Sequence, residues 1–305
     1  MPMAIALLLL SGLLTPQSTP QPAGGDLHTR IAASVDTSTP EWIALHRDLH
    51  RHPELSGQEE RTARVVAERL EALGLEVRTG VGGHGVVGTL TGGLPGPLVA
   101  YRADMDAVRS PAPDSVAFPS TVDGVRHICG HDVHVTIALA LASSLAAVRA
   151  DLPGRVMFIF QPDEERAAGA RAMLDAGLFA AEAPVAIFGL HSAPMEVGLV
   201  ASKAGLMMHA SQVAPGVTNH AALFASARAD LVRVLGAQAF VDLQEPPPGF
   251  SEDFGAFQAE IPGVFLFLGM GPDAMPHSAG FVADEGAIPF GVRAMAAVLV
   301  GRLQR

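Results

Sequence analysis

A single α/β domain with a central, mostly parallel sheet flanked by helices is the fold this sequence predicts, and three observations predict it. Short apolar runs alternate with longer helical patterns, the arrangement that builds a parallel sheet from strand and helix units. The run Val156 to Phe160 is unbroken, β-branched and aromatic, as a strand covered on both faces must be. Four such runs lead into an Asp, Glu or His, and ligands of open α/β sheets bind outside the carboxyl ends of their strands.

Taken in order, the chain opens on an apolar run, Ala4 to Leu14, followed by a Pro-, Thr-, Gln- and Gly-rich stretch to Gly25. The run is too short to span a bilayer and predicts a signal peptide and linker over residues 1–25, hence a periplasmic or secreted protein. No Lys or Arg precedes it and no A-x-A site follows, so an uncleaved tether is the alternative. Pro40, behind Ser38 and Thr39, fits the first position of a helix whose apolar stripe of Trp42, Leu45 and Leu49 runs to about His52. Ser56-Gly57-Gln58-Glu59 has capping-box spacing and opens a second helix, closed by Gly74. Strands follow at Leu75 to Arg78, His84 to Leu90 and Leu98 to Tyr101, then a Pro-rich loop from Ser110 to Gly124. The Ala- and Leu-rich helix from Val133 to Val148 reads as fully buried. Next come the strand at Val156, a helix near Ala167 to Ala176 and a strand from Val185 to Leu190. A helix at Asn219 to Leu235, a short strand at Ala239 to Val241 and a short helix from Ser251 follow. A strand at Val264 to Leu268 and a helix from Glu285 to Leu303 complete a domain over residues 26–305.

Composition narrows the function. At 305 residues and 49% hydrophobic content the chain buries a substantial core and is not disordered. Its net charge of -11 repels phosphate backbones and argues against a nucleic-acid partner. Past residue 25 no stretch looks transmembrane. Cys129 is the only cysteine, which rules out an intrachain disulfide.

The residues at the strand ends form a candidate metal site. Cys129 and His131 lie on a Gly-flanked turn at a helix start, where the helix dipole favours a thiolate. Thiolate and imidazole suit zinc and similar metals, and Glu165 can share or bridge them. His191 closes one strand and His277 follows another. Glu164 beside Glu165 suits a division of labour in which one carboxylate binds metal and the other moves a proton. Asp104 and Asp106, two apart on an extended segment, face the same side, where one can orient a metal-bound histidine; a salt bridge to Arg102 is the alternative. Asp132 is a further candidate for that orienting role. The plainer alternatives are a small buried residue at Cys129 and a solvated acidic loop, Asp163 to Glu165, balanced by Arg166. His46, His50 and His52 read as capping or surface residues, and His127 and His134, which flank the turn, as candidates to support the ligands rather than to be ligands.

The stretches LHRDLHRHPELSGQEERTA (45–63), YRADMDAV (101–108), HICGHDVH (127–134), FQPDEE (160–165), GLHSAP (189–194) and SEDFGAF (251–257), with the late His277-Ser278, come in a recognisable order. Together they resemble the co-catalytic metallo-amidohydrolase and carboxypeptidase family that includes hippurate hydrolases, aminoacylases and auxin-conjugate hydrolases. The resemblance implies a two-metal exopeptidase-like fold. It implies Cys129, His131, Glu165, His191 and His277 as ligands of two divalent ions, zinc or manganese with cobalt also admissible, and Glu164 as the general base. Asp104 and Asp106 fall in the family's strand-end acidic motif, and Asp106 is grouped with Glu164 in catalysis. The implied reaction is hydrolysis of the amide bond of N-acyl amino acids or small peptides.

Family members insert an α+β lid domain between the GLHSAP-like strand and the helix leading to the SEDF-like motif. Here Gly205 to Ser211 resembles the start of that insertion and Asn219 the resumed catalytic domain, so the lid is expected to be deleted near 205–219. In the family the lid mediates dimerisation, supplies a histidine that stabilises the tetrahedral intermediate and helps hold the substrate carboxylate. Its loss implies a monomer or a dimer of another kind. Two other readings stand beside this one: a lidless single-domain metallo-aminopeptidase, and an inactive homologue that binds metal or a partner.

Overall fold

The apolar runs marked as strands line up as the middle of one sheet in the computed structural model, which describes residues 26–203, 215–245 and 252–305. In chain order the elements are α1 (Leu27–Arg51), α2 (Glu60–Ala72), β1 (Glu76–Thr79), β2 (Val86–Thr91), β3 (Leu94–Asp104), β4 (Val108–Arg109), β5 (Val125–Arg126) and α3 (His131–Ala146). They continue with β6 (Pro153–Gln161), α4 (Gly169–Asp175), β7 (Ile187–Ala193), β8 (Val200–Ser202), α5 (Ala221–Leu235), β9 (Phe240–Asp242), α6 (Gly255–Gln258), β10 (Gly263–Gly269) and α7 (Ala287–Leu303).

Among the described residues, eight strands form one mixed sheet in the order β1-β2-β6-β3-β7-β10-β8-β9, and β4 pairs with β5 separately. β6, β3, β7 and β10 run parallel to one another. β1 and β2 are antiparallel additions at one edge; at the other, β8 is antiparallel to β10 and parallel to β9. Helices α1, α2, α3, α5 and α7 cover one face around Trp42, Leu70, Leu139 and Phe158. The shorter α4 and α6 cover the other around Met173, Phe257 and Phe265. α3 lies between α1, α7 and the sheet, so its small and aliphatic side chains are buried on every side.

Three local expectations change. The first helix starts at Leu27 with Asp26 as its cap, accepting from Thr29 N at 2.8 Å, and Pro40 lies inside it. The hydroxyls of Thr37, Ser38 and Thr39 donate to carbonyls four residues back, and Ile31 and Val35 are buried in the core, so packing carries the helix through the proline. The capping box does not form. Glu54 instead accepts from Arg61 N and Thr62 N at 2.8 and 2.7 Å, while Ser56 and Glu59 turn towards the strand ends. β4, β5 and β8 went unmarked because two or three residues are too few to show a period.

The expected leader over 1–25, the Gly205 to Ser211 stretch and Ser251 lie outside the described residues. Among the described residues no helix is long and apolar enough to cross a membrane.

Candidate metal centre

The strands deliver their polar residues to one edge. β3 ends at Asp104, with Asp106 two residues beyond; β6 is followed by Glu164 and Glu165; β7 carries His191; and His277 follows β10. Cys129 and His131 come from the turn into α3. That turn requires glycine: Gly130 has φ 89°, and a Cβ there would lie 3.1 Å from the Ser192 side chain. The Glu164-Glu165 turn is bracketed by two left-handed residues, Asp163 at φ 59° and Ala167 at φ 53°. Arg166 clasps the Asp163 carboxylate at 2.5 and 2.8 Å, and the buried Glu59 accepts from Asp163 N at 2.8 Å. His277, also left-handed at φ 63°, donates its N–H to Ile128 O at 2.7 Å and is thereby tied to the Cys129 turn.

His131 is the centre of the cluster. Its Nδ1 lies 3.2 Å from Asp106 Oδ1, while its Nε2 is buried without a hydrogen-bond partner. Asp104 Oδ2, Glu164 Oε2 and Glu165 Oε1 surround that Nε2 at 3.8, 3.8 and 3.9 Å. On one side Cys129 Sγ lies 3.4 Å from His191 Nε2; on the other His277 Nε2 lies 3.0 Å from Glu165 Oε1. Donor atoms of Cys129, His131 and His191, and again of Cys129, Glu165 and His277, fall within 4.8 Å of one another. His191 Nδ1 faces Ser192 O at 2.9 Å, which fixes its tautomer and turns Nε2 towards Cys129.

The two aspartates expected to share a side both face His131, with different second partners. Asp106 Oδ2 accepts from Ser56 Oγ at 2.7 Å and Glu165 N at 3.0 Å. Asp104 takes His134 Nδ1 at 2.6 Å and Arg102 at 2.6 Å, so the salt bridge and the histidine contact coexist. His134 Nε2 accepts from Ser192 N at 2.9 Å and thus links the ends of β3 and β7. Asp132 does not join this group; it meets His46 and His50 of α1, at 3.3 and 2.7 Å.

The charges are under-compensated. Burial pushes the Glu164 carboxyl well up, and the nearby Glu252 and Asp253 push it further. Burial also raises the Cys129 thiol, so the helix start alone does not secure the expected thiolate. Hydrogen bonds to Cys129 and Glu165 raise His277 to about 10. Burial would raise Asp104, but Arg102, His131 and His134 hold it well below the usual carboxylate range. An imidazole nitrogen facing one thiol and three carboxylate oxygens calls for a cation between them, and sulfur, nitrogen and oxygen donors together fit a borderline divalent metal.

Sequence reasoning under-read two groups. Arg102 is buried and binds Gln161, Asp104, Glu252 and Asp253 at 2.6 to 3.1 Å; the FQPDEE and SEDF stretches contain three of these, but nothing local says that one guanidinium holds them. His46 and His50, expected as capping or surface residues, are buried against Asp132 and Phe118. Their spacing of one helical turn was the available signal.

Residues 100–300 match Peptidase family M20/M25/M40. The chain is 42% identical over 173 residues to N-acetylcysteine deacetylase of Bacillus subtilis, covering 54% of this chain and 44% of that protein. It is 39% identical over 191 residues to IAA-amino acid hydrolase ILR1-like 2 of Arabidopsis thaliana, covering 60% and 42%. The chain thus spans about half the length of the curated relatives it matches. Among solved structures it is similar to the Bacillus subtilis YXEP protein, a dinuclear metal binding peptidase from the M20 family, with TM-score 0.79, 26% identity and coverage of 88% of this chain and 99% of that one.

Proposed function

The chain belongs to peptidase family M20/M25/M40, and from that premise we propose that it hydrolyses the amide bond of N-acyl amino acids or small peptides. The observation that carries this reading is the buried, partnerless Nε2 of His131, set among Asp104, Glu164 and Glu165. We assign Cys129, His131, Glu165, His191 and His277 to hold two divalent ions, zinc or manganese. Such ions, when bound, polarise an amide carbonyl and bring the pKa of water to about 7.

Glu164 is the proton carrier in this scheme. It is buried 3.8 Å from His131 Nε2, and its raised affinity for protons suits a group that takes one from water and passes it to the leaving nitrogen. Asp106 holds His131 through Nδ1 and the Glu165 backbone through its other oxygen, so it positions two donors at once. The names of the deacetylase and the conjugate hydrolase among the relatives support an N-acyl amino acid substrate.

The catalytic domain is also proposed to work without an inserted lid. Only residues 204–214 separate Lys203, next to β8, from Pro215. Losing one oxyanion donor typically costs on the order of 10²–10³ in rate, so slow turnover and tolerance of bulky acyl groups are expected. The test is hydrolysis of N-acetyl and N-benzoyl amino acids and free dipeptides, with added zinc or manganese, by wild type and Glu164→Ala. Turnover that chelation abolishes and the variant lacks is expected. Turnover indifferent to both overturns the reading, and preference for free over blocked amino termini replaces it with an aminopeptidase.

A further inference from the structure

A second cluster with metal-site geometry lies where α1 packs against the first turn of α3. His46 Nε2 and His50 Nδ1 converge on Asp132 Oδ2 at 3.3 and 2.7 Å, and the donor atoms lie within 4.8 Å of one another. We propose that His46, His50 and Asp132 form a further divalent-cation site, distinct from the strand-end centre and suited to zinc or a neighbouring first-row ion.

The donor set is the first argument. Two imidazoles one turn apart on α1, facing a carboxylate from another helix, offer the nitrogen and oxygen ligands that such ions take. The outer nitrogens are the second. His46 Nδ1 has Glu285 Oε1 at 3.2 Å and His50 Nε2 has Asp114 Oδ2 at 3.0 Å, and a carboxylate on the far nitrogen is how metal-binding histidines are habitually oriented. Those carboxylates are in turn anchored, Glu285 by Arg47 at 2.6 and 2.8 Å and Asp114 by Arg126 at 3.1 Å.

A third argument is His127. Its ring centroid lies 6.4 Å from that of His50, it is buried, and its Nδ1 has no hydrogen-bond partner among the described residues, so an additional donor stands beside the cluster. Phe118 meets both His46 and His50 edge-on, at 5.5 and 5.2 Å, and covers the cluster with apolar surface. An apolar shell of this kind limits solvent access to such a site.

The test is a cobalt titration of metal-free protein with elemental counting of the ions retained after gel filtration. Wild type is compared with a His46→Gln/His50→Gln double variant and with Glu285→Gln, each checked for its fold by circular dichroism. The double variant is expected to keep one ion fewer than wild type, a difference that does not depend on how many ions the strand-end centre holds. Glu285→Gln is expected to retain the count at saturation and to weaken one ion by about 10- to 100-fold. Equal counts in wild type and a folded double variant overturn the proposal. If the double variant does not fold, Glu285→Gln decides: an unchanged titration overturns the site, and a single weakened ion supports it.

Discussion

Two buried acidic groups stand side by side at the strand ends and are built on opposite plans. Around Arg102, the carboxylates of Asp104, Glu252 and Asp253 share one guanidinium, with Gln161 donating to Asp253 as well. Glu164, also buried, has no arginine within ion-pair distance among the described residues and feels Arg102 only through a longer-range Coulomb interaction, while His131 lies 3.8 Å away. The first group fixes a shape, since a multiply paired arginine leaves its acids one arrangement. The second holds its proton more tightly than an ordinary carboxyl does, because burial and its carboxylate neighbours oppose the ionised form. The contrast separates residues that hold the site from the residue proposed to work in it.

Glu164→Gln tests this most sharply. If general base catalysis resides there, turnover falls by about 10²–10⁴, while thermal stability holds or rises, because a neutral amide replaces an uncompensated buried acid. A fall in both, seen by calorimetry beside the rate assay, would break the contrast. Arg102→Met is the mirror experiment. Removing the shared partner of three buried carboxylates is expected to cost about 3–5 kcal/mol in a denaturant titration, and a stable protein that merely turned over slowly would move Arg102 into the working group.

Gly130→Ala probes the turn that carries Cys129 and His131. With φ at 89° and Ser192 only 3.1 Å from the new Cβ, it should cost about 1–3 kcal/mol and weaken metal retention, measured by competition with a chelator. The smallest effect is electrostatic. Burial raises Asp253 from 3.8 to about 6, despite Arg102, so its folded pKa exceeds its unfolded one. Such an acid binds more protons when folded, and its contribution to stability declines as pH rises from 3.8 through about 6. Stability curves of metal-free wild type and Asp253→Asn should therefore converge below pH 3.8, separate in favour of the variant between 3.8 and about 6, and keep that gap at higher pH. Parallel curves would mean that Arg102 compensates Asp253 fully.

Much of the strand-end cluster was legible because each polar residue sits at the end of an apolar run long enough to show its character. Val156 to Phe160 identifies β6, and Glu164 and Glu165 follow it directly. What stayed hidden is pairing over distance. Glu252 reaches Arg102 across 150 positions and His50 reaches Asp132 across 82, so neither local spacing nor periodicity carries the contact. Pro40 misled for a related reason: the rule that proline opens helices is local, and α1 is held by its packing. Glu59 was read as a cap, yet its carboxylate binds Gly57 N and Asp163 N, each at 2.8 Å, a role visible only once β6 lies beside α2's entrance.

The order of the sheet has a consequence for synthesis. β10 is the last strand made, yet it lies between β7 and β8, both of which leave the ribosome earlier. A nascent chain lacking β10 therefore has a slot in its sheet rather than an unfinished edge, and closing it requires contacts between distant parts of the chain, the slow kind. His277 follows that strand. Until β10 is seated, the proposed donor set is incomplete, so metal uptake by that set would follow the closing of the sheet.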